Sequence, residues 1–321
     1  MKILTADDVR AAVDMRAAID AVRAGFIALS TGRARVPLRS ALETPGGVLL
    51  TMPAQLDDAP ISAVKIVSVC AGNPSLGLPT IHAVVLVTDA QTGQPLALMD
   101  GGVVTAQRTG AASGLATDLL AVPGASTLAV IGAGVQARTQ VAAVCAVRPI
   151  TEIRIFSLAG AEALAHELGE RYAARIVVAR SAPEALHGAQ VVVAATNSKT
   201  PIVHLADLAP GVHINGIGSF APDMQEIAAD VVAEATLVVD HRASAWAEAG
   251  DLIIARDQGL ITEQSVHAEI GEIAAGMKAG RTSPHEITFF KSVGNAVQDA
   301  AFAQRVLAAA EERGLGTDVA L

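Results

Sequence analysis

The chain has 321 residues, 51% hydrophobic and only 17% charged, with 2% aromatic. So much apolar side chain excludes a disordered chain, and the length fits about two domains with cores of Ala, Val, Leu and Ile. With 23 basic against 32 acidic side chains, a net charge of −9 and few aromatics to stack bases, a nucleic-acid partner is excluded.

No apolar run approaches the roughly 20 residues that a bilayer crossing needs, and MKILTADDVR lacks the apolar stretch of a secretion signal. The expectation is a cytoplasmic protein with no membrane partner. Cys70 and Cys145 stand far apart, which predicts reduced, structural thiols and no metal site.

Thr5 and Asp8 have the spacing of a capping box, and Val9, Val13, Ile19, Val22, Phe26 and Leu29 follow at helical spacing. They predict two short helices over 5–30, broken near Asp14. Segments 35–40, 48–53, 61–70, 81–88 and 95–99 read as strands between Pro, Gly and Asp punctuation, forming a largely antiparallel sheet. Residues 102–120 turn helical.

From residue 124 the texture changes. Apolar runs at 128–131, 153–156, 191–195, 212–217 and 237–239 alternate with Ala-rich helical stretches. That pattern predicts parallel strands buried on both faces, hence a doubly wound α/β domain of Rossmann type. The PGAS turn at 123–126 marks the expected boundary. Residues 1–120, completed by a C-terminal helix within 295–321, form a smaller α+β domain, and 121–294 form the Rossmann domain.

The sequence TLAVIGAGVQARTQ contains the most specific local motif, with Gly132, Gly134 and Ala137 between a strand and a helix. Gly132 allows a tight turn, Gly134 lets a pyrophosphate approach, and Ala137 allows close helix–strand packing. Val135 and Gln136 complete the turn, and the helix start offers free N–H groups to phosphate. At the end of the second strand Ser157 stands where a carboxylate would bind the NAD ribose. This leans towards NADPH over NADH. Arg138 is the candidate cation for a 2′-phosphate, or else points to solvent.

Three cations interrupt apolar segments: Arg39 after Pro37, Lys65 in ISAVKIVSV, and Arg108 in GGVVTAQRTGAAS. A buried cation needs an anion, so each faces a substrate carboxylate or forms a structural ion pair. Thr105 and Thr109 flank Arg108. His82, in LPTIHAVVLVTD, is a candidate proton donor or a satisfied core residue, with Thr80 beside it. His204 and His213 read as structural. Asp223 and Glu226 read as acids in the first turn of a helix.

Several segments in order resemble the ornithine cyclodeaminase/μ-crystallin family: VKIVSVCAGNPSLGLPTIHAVVLVTDAQTGQPLALMDGGVVTAQRTGAAS, VIGAGVQARTQ, GIGSFAPDMQEI and EITFFKSVGNAVQD. The resemblance implies a Rossmann domain, a substrate and dimerisation domain, and a homodimer. It implies carboxylate binding by Arg39, Lys65 and Arg108, while Thr80 is a candidate for a substrate hydrogen bond from its place beside His82. It implies cofactor contacts at Arg108, Thr109, Thr196, Ser292 and Gly294. The family's cyclodeaminases carry an aspartate in the loop after the fifth Rossmann strand, where Phe220 aligns here. The SFAPDMQE form is more similar to the imine-reducing members. The implied reaction is NAD(P)H-dependent reduction of a cyclic 2-imino acid, with Lys65 and His82 as catalytic candidates. Its rivals are an alanine-type dehydrogenase, a cyclodeaminase, and a crystallin-like binding protein without turnover.

Overall fold

The computed structural model describes residues 1–320. In chain order the first elements are β1 (Lys2–Leu4), α1 (Ala6–Ala12), α2 (Met15–Ser30), β2 (Ala34–Arg35), β3 (Ser40–Thr44), β4 (Gly47–Leu56) and β5 (Ile61–Val69). Next come β6 (Ile81–Asp89), β7 (Pro95–Asp100), α3 (Gly101–Leu120), β8 (Thr127–Ile131), α4 (Val135–Val147), β9 (Glu152–Phe156) and α5 (Ala161–Arg171). Then follow β10 (Arg175–Val178), α6 (Ala182–Leu186), β11 (Val191–Ala194), β12 (His213–Gly216), α7 (Ala229–Glu234), β13 (Thr236–Val239) and α8 (Arg242–Glu248). The last are α9 (Gly250–Asp257), β14 (Val266–Glu269), α10 (Ile270–Ala274), β15 (Thr288–Lys291), α11 (Ala296–Arg313) and β16 (Thr317–Asp318). Among the described residues, no helix is long and apolar enough to cross a membrane.

Two compact units form: Met1–Thr109 with the segment from Asn295 onward, and Gly110–Gly294. The division falls inside α3, not at the PGAS turn. From Gly110 on, α3 belongs with α4: a Cβ at Gly110 would lie 2.6 Å from the Thr139 carbonyl oxygen. Only glycine lets the two backbones come this close.

In the first unit β4 to β7 form an antiparallel meander, and the strand order is β16-β1-β7-β6-β5-β4-β2 with β3 paired to β4. The Thr5–Asp8 capping box is present, and Asp14 caps α2 by accepting from Ala17 N at 2.8 Å. Along β5 the side chains alternate as a pleated strand requires: Ile61, Ala63, Lys65 and Val67 are buried, while Ser62, Val64, Ile66 and Ser68 take the other face. α11 packs on α2 and crosses β4, β5 and β6, burying Val297, Ala300, Ala301, Phe302 and Val306.

The strand expected at 35–40 covers only Ala34–Arg35. Pro37 has no N–H for a ladder, so Arg39 lies in the irregular link to β3. β3 itself is exposed along its whole length and shows no alternation to read; its pairing to β4 defines it.

The second unit is one parallel sheet in the order β10-β9-β8-β11-β12-β15-β13-β14. The order reverses between β8 and β11, which makes it doubly wound with its switch point there. Each central strand feeds two cores. Leu128 and Val130 join the core with Val141, Val144, Leu164 and Leu168, whereas Ala129 and Ile131 join the core with Leu186, Ile214, Val231 and Leu252. Three strands, β10, β14 and β15, fall outside the runs read from hydropathy. All three have four residues; β10 and β14 carry polar or exposed positions, and β15 ends on a lysine.

Candidate functional site

Lys65 sits in the middle of β5 on the buried face, 2% exposed. Its ammonium lies 2.8 Å from Asp299 Oδ2, on the first turn of α11, where the helix N-terminus favours negative charge. Arg108 comes from α3 and places Nε 3.0 Å from the other oxygen, Asp299 Oδ1, while Nη1 donates to Gln298 Oε1. One buried carboxylate therefore serves two buried cations. The excess positive charge stays where water does not reach, an arrangement that favours an incoming anion.

Arg39 adds further positive charge nearby. Burial above all, with Arg108 and Arg39 as neighbours, pulls the Lys65 ammonium down to about 8 despite Asp299. Among the described residues of this unit, Gln298 Nε2, Thr105 Oγ1 and Gln107 Oε1 are also buried without a hydrogen-bond partner. Buried polar groups are seldom left unpaired in native proteins, so such groups are suited to a polar ligand. Arg108 lies well inside α3 and not in its first turn, so its neighbours and not the helix end provide its setting.

His82 does not join this cluster. Val85 is the residue opposite Lys65, and His82, three residues earlier on β6, takes the other face and is exposed. The expectation of His82 as proton donor is corrected by strand parity. Thr80 precedes β6 and is half-buried, with its carbonyl accepting from Cys70 N at 2.8 Å.

The second unit holds the glycine turn. Gly132 has φ +107°, a conformation open to glycine, and a Cβ there would lie 2.5 Å from the Ala195 carbonyl oxygen. Gly132 N donates to Phe156 O at 2.8 Å, tying the turn to the end of β9. Gly134 caps α4 without any side-chain cap, and a Cβ there would meet nothing within 4 Å. Open space thus faces the uncapped N–H groups of a 13-residue helix at a switch point. Ala137 is fully buried against the core and Val135 is 71% exposed. The residues present fit a dinucleotide, whose pyrophosphate would lie on Gly132–Gln136.

Around this turn the loops are held by buried carboxylates that the sequence reading missed. Asp240 Oδ2 accepts from Ser292 Oγ, Val293 N and Gly294 N at 2.8–2.9 Å. Glu226 is not the start of a helix, since α7 begins only at Ala229. It is fully buried and accepts from Thr196 N at 2.5 Å, Gly218 N at 2.5 Å and Ser219 N at 3.1 Å. Burial pushes Glu226 up to about 7, opposed by Lys291. Lys291 in turn lies 3.0 Å from Asp251 Oδ2, both with no exposed surface. Of these, only Lys291 carried a readable signal, a lone cation in the apolar run ITFFKSV.

Asp223 is exposed and pairs with Lys199 at 2.6 Å. Phe220 is 43% exposed in the loop after β12. His213 is fully buried between Thr288 Oγ1 and Asn215 Oδ1. Burial pushes it down to about 3, so it is neutral. His204 is exposed. Both cysteines are free and half-buried, and burial raises Cys145 to about 11.

A switch-point glycine turn in one unit, together with a cluster of buried cations in the other, marks a dinucleotide-binding protein. The chain belongs to the ornithine cyclodeaminase/mu-crystallin family, whose model matches residues 1–314. It is 38% identical to the Δ1-pyrroline-2-carboxylate reductase of Bacillus cereus over 98% of each chain. The structure of Thermococcus litoralis Δ1-pyrroline-2-carboxylate reductase with NADH and L-proline matches with a TM-score of 0.96 at 40% identity, covering 99% of this chain and 100% of that one. An archaeal alanine dehydrogenase dimer with bound NAD matches with a TM-score of 0.94 at 35% identity, covering 100% and 99%.

Replacing Asp299 by Asn leaves Lys65 and Arg108 buried without their counter-charge. Unfolding free energy from urea titration is expected to fall by about 3–5 kcal/mol. Unchanged stability would mean that the cations are satisfied by other groups.

Proposed function

We propose that this protein is a cytoplasmic NAD(P)H-dependent reductase of cyclic 2-imino acids. It converts Δ1-pyrroline-2-carboxylate, or the six-membered Δ1-piperideine-2-carboxylate, to L-proline or L-pipecolate. The observation that carries this reading is the pair of buried cations sharing one carboxylate, with positive charge left for a second. Similarity to reductases of this substrate over nearly the whole chain supports it.

In this reading the first unit takes the substrate. Arg108 and Arg39 hold its carboxylate by charge-assisted hydrogen bonds, and Lys65 completes the clamp. Holding the imino acid by its carboxylate fixes the position of C2, which is the main contribution a binding site makes to such a reaction. The reduced dinucleotide supplies the hydride. The electrons of the C=N bond pass to the ring nitrogen, which takes a proton, and Lys65 Nζ carries one that is transferable near neutrality.

The second unit takes the cofactor, through Gly132, Gly134, Val135, Gln136, Ala137, Arg138 and Ser157 at the nucleotide end. Thr196, Ser292 and Gly294 serve at the other. Arg108 and Thr109 remain candidates for further cofactor contacts. Phe220 offers no carboxylate to handle ammonia, which favours imine reduction over cyclodeamination.

The protein acts as a homodimer. The outer face of the first unit's sheet carries exposed Ile66 and Val84 beside half-buried Leu49, Val64, Leu86 and Leu98. This apolar face suits a second copy of the chain.

With purified protein, oxidation of NADH or NADPH is expected to be at least about tenfold faster with Δ1-pyrroline-2-carboxylate than with pyruvate plus ammonium. The reverse order would establish an amino-acid dehydrogenase. Lys65 loses its charge as pH passes about 8, so the pocket weakens upward. KM for the imino acid is expected to climb above that pH, by up to about tenfold per unit for one lost proton, and a flat KM would exclude Lys65 from the clamp. Ile66→Lys is expected to shift the dimer to monomer in size-exclusion light scattering, whereas an unaltered dimer would move the interface elsewhere.

A further inference from the structure

Arg138, one residue past Ala137 on α4, does not simply face solvent. Its Nε lies 2.6 Å from Glu167 Oε2 on α5, and its Nη1 donates to the carbonyl oxygens of Gly134 at 3.2 Å and Ala133 at 3.4 Å. The guanidinium is thereby folded back onto the glycine turn. A Cβ at Gly160, in the loop after β9, would come 3.7 Å from Ala133 Cβ, so the turn and this loop adjoin. The adenosine ribose of a dinucleotide lies at that junction in doubly wound domains.

The loop itself, Ser157 to Gly160, offers no carboxylate for a ribose diol and no cation for a phosphate. Ser157 Oγ donates to Ala159 O at 2.8 Å, and Leu158 is 97% exposed. Arg138, folded onto the glycine turn, supplies positive charge beside the loop and is engaged with Glu167. Glu167 has a second partner: Arg171, one turn further along α5, lies 3.2 Å from Oε1. Removing Arg138 from Glu167 does not strand the carboxylate. The pair is partly exposed, 38% and 25%, where such contacts are weak and easily exchanged. A phosphate dianion offers Arg a bidentate partner of higher charge.

We propose that Arg138 is a latch for the 2′-phosphate of a phosphorylated dinucleotide, held closed by Glu167 in the free protein while Arg171 retains Glu167 when the latch opens. The inference rests on the dinucleotide reading of the second unit. Its consequence is that Glu167, not the loop after β9, tunes the choice between NADPH and NADH. Weakening the closed pair favours the phosphorylated cofactor.

The test is equilibrium binding, by calorimetry, of NADPH, NADH and the fragments 2′,5′-ADP and 5′-ADP to the full chain and two variants. Glu167→Gln is expected to raise affinity for NADPH and 2′,5′-ADP about three- to tenfold and to leave NADH and 5′-ADP unchanged. Arg138→Ala is expected to lower NADPH affinity at least about fivefold more than NADH affinity. Equal changes for both cofactors, or no change in either variant, overturn the latch while leaving the dinucleotide site standing. Failure of the unaltered protein to bind any of the four overturns both.

Discussion

Asp299 places one negative charge between two buried cations, and the first unit is organised around keeping it there. Lys65 comes from the centre of a strand, Arg108 from the interior of a long helix, and Asp299 from the opening turn of the helix that covers the sheet. No local segment could hold either cation away from water at tolerable cost. The cation cluster exists because three distant elements converge, and one carboxylate leaves its positive charge unbalanced. The pull on Lys65 towards neutrality follows from the same convergence.

The second unit uses carboxylates in a different way. Asp240 and Glu226 face backbone N–H groups more than cations, and each gathers donors from loops at the carboxyl ends of the strands. Asp251 extends the arrangement, accepting from Glu226 N at 2.7 Å while pairing with Lys291. Loops at a switch point must be irregular to admit a ligand, so their N–H groups lack ladder partners. Buried carboxylates supply the acceptors and hold the loops in one shape.

Much of this was legible in the chain. The uninterrupted apolar runs announced strands with two buried faces, and Leu128 to Ile131 do divide their side chains between two cores. The capping box and the break at Asp14 were visible because caps act over three or four residues. The isolation of Lys65 and Arg108 in apolar segments marked them as well. Their shared partner was not visible: Asp299 lies 191 residues beyond Arg108 and looks like any helix acid. Glu226 misled for a related reason. Acid at a turn has the composition of a helix start, and only the fold shows that its donors come from other loops. His82 was misjudged on strand parity, since hydropathy around it does not reveal which face Lys65 occupies. β3 and β10 left little trace because their side chains are largely exposed and pairing alone defines them.

The central claim is that excess buried positive charge in the first unit receives a carboxylate. Calorimetric titration with L-proline and with pyrrolidine, which has the same ring without the carboxylate, tests it most directly when saturating oxidised dinucleotide is present. The account predicts saturable binding of L-proline and none of pyrrolidine at the same concentrations. Comparable affinity for the two ligands would contradict it.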